Sequence, residues 1–165
     1  MGKLMTRLRK THRIKWSTTK SKYKQGLFIP DNKGKYMGNI NNIKFRSSWE
    51  LKVFEFCDDN RHILKWSSEE IAIPYQKPVF NSKQFKWANY YPDVYVEYLN
   101  SSGGIVKEMI EIKPLKQTRQ SKARKQSTKI YENATFLVNQ MKWLAAEKWC
   151  HARNIRFKIM TENDI

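Results

Sequence analysis

Acidic residues are scarce in this chain: 15 Asp and Glu stand against 32 Lys and Arg, a formal net charge of +17 in 165 residues. Such an excess is costly in self-repulsion unless a polyanion is present. Nucleic acid is therefore the leading partner, although an anionic membrane surface or a ribosome would give the same bulk number. Scarcity also makes each acid informative. Cysteine is rarer still. Cys57 and Cys150 are the only two, in no metal-ligand spacing, and their apolar, helix-like surroundings suit buried free thiols in a reducing compartment. Three scattered histidines, His12, His62 and His151, argue against a zinc site. No apolar run approaches a membrane span, and the N-terminus is too polar for a secretory signal. The expectation is a soluble, intracellular protein with no membrane contact. The length fits one domain with a real core.

Residues 1–46 read as a basic arm. Among its cations are Arg7, Arg9, Lys10, Arg13 and Lys15, and its single acid is Asp31. Trp16, Tyr23, Phe28 and Tyr36 are interleaved with them. A solvated tail is one reading; a DNA-tracking arm, with cations on phosphates and aromatic faces on bases, is the other. The aromatics favour partial order. Residues 47–165 form the domain proper. Ser47 or Ser48 caps a helix running to about Asp59, with Trp49, Val53, Phe56 and Cys57 on its apolar stripe and Glu50 in its first turn. Strands are expected at Ile63–Trp66 and Glu69–Tyr75. A basic helix is expected from Lys116 through Arg119, Lys122, Arg124 and Lys125 to Lys129, then a second helix over Val138–Ala152 with Lys142 on its outer side. Ile155–Met160 closes the chain as a strand.

The middle of the chain carries the chemistry. Tyr90–Tyr98 and Val106–Pro114 are β-rich segments around a turn, Asn100-Ser101-Ser102-Gly103-Gly104, which together predict a hairpin. Alternation puts Glu111 and Lys113 on one face, and simple register brings Asp93 beside them. Two carboxylates and an ammonium then meet. Such a cluster suits a magnesium ion held beside a phosphate, with Asp93, Glu111 and the Ile112 carbonyl as hard oxygen ligands. Lys113 would orient the attacking water or stabilise developing charge. Glu50 would approach from the helix side, directly or through a water. Charged alternation on a solvent-facing strand is the plain alternative for Glu111 and Lys113, and helix-dipole complementation is the plain alternative for Glu50.

Pro92-Asp93, Glu111-Ile112-Lys113 and the upstream Glu50 resemble the signature of the PD-(D/E)XK nucleases. The order of Ser47–Glu50, this core, Trp143–Cys150 and the terminal Phe157–Glu162 resembles the catalytic domain of TnsA-type transposon endonucleases. In size and basic character it is more similar to the head-completion nucleases of T4-like phages. The resemblance implies an α/β, restriction-endonuclease-like core with a mixed central sheet flanked by helices. It also implies DNA cleavage dependent on magnesium, with manganese as a substitute. By position, Asp93 and Glu111 would bind metal, Lys113 would be the catalytic lysine and Glu50 the helix-borne acid. A head-completion setting would place the chain in the host cytoplasm during phage assembly or on the virion. It would trim packaged DNA there, with portal or neck proteins as further partners. The competing readings are a transposon-type or junction-cutting endonuclease, and a DNA-binding assembly protein whose acids are structural.

Overall fold

The computed structural model describes residues 13–18, 20 and 22–165. Arg7, Arg9 and Lys10 of the arm lie outside the described residues. Among the described residues, nine strands and two α-helices follow in the order β1 (Arg13–Trp16), β2 (Gly26–Ile29), β3 (Ile43–Phe45), α1 (Ser48–Asp59), β4 (Ile63–Ser67), β5 (Ile73–Pro78), β6 (Phe85–Tyr90), β7 (Val94–Leu99), β8 (Ile105–Ile112), α2 (Gln126–His151) and β9 (Arg156–Met160).

The central sheet has the order β4-β7-β8-β9 and is mixed. β4, β7 and β8 run antiparallel, and β9 lies parallel to β8. A parallel neighbour requires a crossover, which α2 supplies. The predicted hairpin forms with Val94 opposite Ile110 and Leu99 opposite Ile105. Its turn is tied by Asn100, whose Oδ1 accepts from the N–H groups of Ser102 (3.1 Å) and Gly104 (2.8 Å). Gly103 takes φ +81, a conformation that residues with a Cβ rarely adopt.

Each face of this sheet carries its own layer. Val94, Val96, Ile110 and Ile112 point into a core with Leu51, Val53, Phe54 and Cys57 of α1. Phe28, Tyr36, Ile43 and Phe45 belong to that same core, so the arm from Gly26 onwards is built into the body. Phe28, Phe54 and Trp66 form an aromatic cluster with ring centroids 5.4–5.9 Å apart, a favourable spacing for edge-to-face and tilted contacts. Polar contacts complete the attachment: buried Asp58, at the end of α1, accepts from the N–H groups of Asp31 (2.8 Å) and Asn32 (3.2 Å). The opposite face of the sheet packs on α2 and on the two-stranded β5–β6 ribbon, through Ile73, Tyr75, Tyr90, Trp143 and Ala146.

Three expectations need correction. The basic segment after Pro114 is not a helix: a short 3-10 turn spans Leu115–Thr118, and α2 begins only at Gln126. That stretch has no apolar stripe with which to dock a helix. Ser121 instead engages α2, its N–H donating to Asn133 Oδ1 at 2.9 Å and its hydroxyl contacting Glu132. One continuous 26-residue helix then replaces the second of two, because no Gly or Pro occurs after Pro114 to end it sooner. The strand expected over Glu69–Tyr75 starts at Ile73, since Glu69 turns the chain at φ +53 and Glu70 accepts from the Asn39 N–H at 3.0 Å.

Candidate active site

Asp93, Glu111 and Lys113 share the face of the central sheet that looks toward α2 and the ribbon. On β8 the alternation that sends Ile110 and Ile112 into the α1 core sends Met109 and Glu111 the other way. Glu111 is only 2% exposed. Its Oε1 meets Lys113 Nζ at 2.8 Å, and its Oε2 accepts from the Tyr90 hydroxyl at 2.5 Å. Asp93 stands one residue before β7, in line with Glu111, and its Oδ2 accepts from the Ile112 N–H at 2.7 Å. In a strand the N–H and C=O of one residue point to the same edge, so the Ile112 carbonyl also faces the Asp93 side.

Electrostatics mark the site as over-supplied with negative charge. Burial, and then Glu111, push the Asp93 carboxyl up to about 8, against the opposing pull of Lys113 and the Ile112 N–H. Burial works against a charged Lys113, yet Glu111 and Asp93 outweigh it and hold the ammonium above its ordinary value. Burial raises the Tyr90 hydroxyl, reinforced by Glu111, so it remains a donor. Hard oxygen donors that repel one another fit a divalent cation of the magnesium class. Among the described residues, no group of three or more His, Cys, Asp or Glu is positioned to hold a metal ion. Asp93, Glu111 and the Ile112 carbonyl are thus the donors on offer.

Glu50 is not gathered into that cluster. It completes a capping box at the start of α1: the Ser47 hydroxyl receives the Glu50 N–H (3.1 Å), while the Glu50 carboxylate takes the Arg46 N–H (2.8 Å) and the Ser47 hydroxyl (3.0 Å). Burial raises its pKa, and its charge still acts on Asp93 and Lys113.

Two neighbours escaped the sequence reading. Tyr90 is one. A buried tyrosine generally has a partner for its hydroxyl, and Tyr90 lies three residues before Asp93. Lys142 of α2 is the other: its ammonium lies 5.5 Å from the Tyr90 ring centroid, and burial lowers its pKa against the attraction of Glu111. It faces inward, contrary to expectation. The signal was available in its four-residue spacing from Val138 and Ala146, both of which pack in that core.

Among the described residues, six of the other predicted cations are exposed. Lys15 is exposed on β1, and Arg13 opens that strand. Lys116, Arg119, Lys122, Arg124 and Lys125 are all exposed, on the turn and loop between β8 and α2. The first three border an open cavity of about 770 Å³ against the first half of α2.

The family of TnsA-like endonuclease N-terminal domains matches residues 60–162, which takes in Asp93, Glu111, Ile112 and Lys113 but not Glu50. The head completion nuclease of enterobacteria phage T4 is 36% identical over 149 residues, covering 85% of this chain and 92% of that protein. The mixed sheet with its two flanking helices agrees with the restriction-endonuclease-like architecture expected from the sequence. No helix among the described residues is long and apolar enough to cross a membrane.

Proposed function

The chain belongs to the TnsA-like endonucleases, and on that premise we propose that it is a DNA nuclease of phage head completion, cutting packaged DNA before heads and tails join. The observation that carries the catalytic reading is the pairing of buried Glu111 with half-buried Lys113, Asp93 in line beside them, inside a chain of +17 net charge.

Asp93, Glu111 and the Ile112 carbonyl would hold magnesium, with manganese as a substitute. When bound, the ion supplies charge neutralisation at the phosphoryl oxygens and acidifies water. The chain's own residues do the rest. Lys113, kept cationic by the two acids, stabilises negative charge that develops on the phosphate. Tyr90 fixes one oxygen of Glu111 and thereby the direction in which that carboxylate points. Lys142, beside the Tyr90 ring, adds a second cation within reach of the Glu111 charge. Glu50 acts as the helix-borne acid through its charge on Asp93 and Lys113 while it caps α1. Arg7, Arg9, Lys10, Arg13, Lys15 and the Lys116–Lys125 cations neutralise phosphates along the duplex, independently of base sequence. Portal or neck proteins are the natural further partners of a chain acting at the head.

The extent of similarity to the T4 nuclease, nearly the whole of both chains, favours the head role over a transposition role. Cleavage of a nicked or linear DNA in magnesium tests the reading. Asp93→Ala and Lys113→Ala are each expected to abolish cutting while DNA binding remains within about threefold. Persisting activity in both variants overturns the site. Absence of cutting by the unaltered chain in magnesium and in manganese leaves the DNA-binding assembly protein as the better reading.

A further inference from the structure

The β5–β6 ribbon has two unlike faces. Its inner face, Ile73, Tyr75, Ala88 and Tyr90, packs on α2, and the same face continues outward as the opposed pair Lys77 and Lys86. Its outer face carries Phe85 and Trp87, 55% and 72% exposed, and Phe80 at the turn is 64% exposed. Large aromatics held in solvent on a projecting ribbon are not core residues, and nothing among the described residues covers them. From Ile71 to Pro92 the chain has three lysines and no acid, so the whole ribbon complements a polyanion. Pro74 and Pro78 remove backbone donors from β5 and mark it as an edge that does not recruit a further strand, which disfavours an added peptide.

Position links the ribbon to the chemistry. β6 ends at Tyr90, which touches Glu111. Trp87 is three residues back, about 10 Å along a strand, or roughly three nucleotide steps from the carboxylates. Lys77 lies near enough to Lys142 for their charges to interact, which extends the cationic path from the cleft along the inner face.

We propose that the β5–β6 ribbon is a strand-separating pin: its cationic inner face leads one DNA strand to Asp93 and Glu111, while Trp87 and Phe85 on the outer face stack on unpaired bases of the other. The preferred substrate is then DNA with unpaired nucleotides beside the scissile phosphate. This rests on the nuclease reading above and adds a specificity to it.

The test compares cleavage of a fully paired duplex with the same sequence splayed at one end, in magnesium. The unaltered chain is expected to cut the splayed DNA at least about tenfold faster. Trp87→Ala and Phe85→Ala should each bring that ratio down at least about fivefold, toward one, the lower end of what a single stacked base contributes. In a chain already inactivated by Asp93→Ala, oligo-dT should quench tryptophan fluorescence, and adding Trp87→Ala should remove most of the quenching. Equal cutting of both DNAs by the unaltered chain, or an unchanged ratio in both variants, sinks the pin and leaves the nuclease standing. Variants that cut like the unaltered chain yet fail to complete heads would assign this face to a protein, also against the proposal. Failure to cut any DNA strikes the nuclease reading itself.

Discussion

Two glutamates on β8, three residues apart, look alike on paper and differ in kind. Glu108 accepts from the Tyr98 hydroxyl at 3.0 Å and pairs with Arg156 at 2.7 Å. Glu111 accepts from the Tyr90 hydroxyl at 2.5 Å and pairs with Lys113 at 2.8 Å. Each has one tyrosine and one cation. They lie on opposite faces of the sheet, and only Glu111 has a second carboxylate, Asp93, directly opposite. The Glu108 set is balanced, with Arg156 largely in solvent, and holds β7, β8 and β9 together. The Glu111 set has two carboxylates and one directly paired cation, Lys113, with Lys142 farther off and its pKa lowered by burial. An ion pair by itself therefore says little about function; unbalanced charge in a buried place says more.

The sharpest break in the comparison is at the cations. Lys113→Met should lower cleavage at least about a thousandfold with folding intact by circular dichroism, whereas Arg156→Met should leave cleavage within about twofold. Equal losses would make the two sets equivalent. The tyrosines come next. Tyr90→Phe should cost about 10- to 100-fold in activity, the usual effect of removing a group that orients a metal-binding carboxylate. Tyr98→Phe should instead cost about 1 kcal/mol of stability, measured by urea unfolding, with activity retained.

A third contrast is in pH. The Asp93 carboxyl is raised by folding, so between the unfolded value near 4 and the folded value of about 8 the native state binds the extra proton. Stability contributed by this group therefore falls as pH rises through that window and levels off above it. Asp93→Asn should flatten the fall in Tm between pH 5 and 8, and magnesium should raise the Tm of the unaltered chain more at pH 8 than at pH 5. Glu108→Gln should leave the slope as it was. The smallest effect is at the surface. Neutralising Lys116, Arg119 and Lys122 together should weaken DNA binding and flatten the dependence of log affinity on log salt, by about one unit of slope for each phosphate no longer neutralised.

Much of the site was legible because it is local. The Asn100–Gly104 turn sets the register that puts Asp93 opposite Glu111, and strand alternation does the rest. Ser47 at the helix start was equally readable, since a capping serine followed three residues later by Glu is a local pattern. That same pattern explains why Glu50 is drawn to its own helix. Less legible were features set by packing at a distance. Phe28, Ile43 and Phe45 sit among so many lysines that the segment reads as a basic arm of only partial order, yet they fill the α1 core. Lys142 was hidden because a lysine beside Trp143 suggests solvent, while helical spacing placed it inward. Charge patterning carries no docking information, so the run of cations at 119–125 suggests a helix where the chain forms a loop.

The Asn100–Gly104 turn lies at the far end of the hairpin from Asp93, six residues of β7 and about 20 Å away. Both native thiols are buried, and burial pushes them up to about 12 at Cys57 and about 11 at Cys150, well outside the range in which maleimides react readily. Ser102→Cys would thus give one addressable handle on the molecule. A dye or a bead attached there leaves the cleft free, so that individual cutting events can be watched on a tethered DNA.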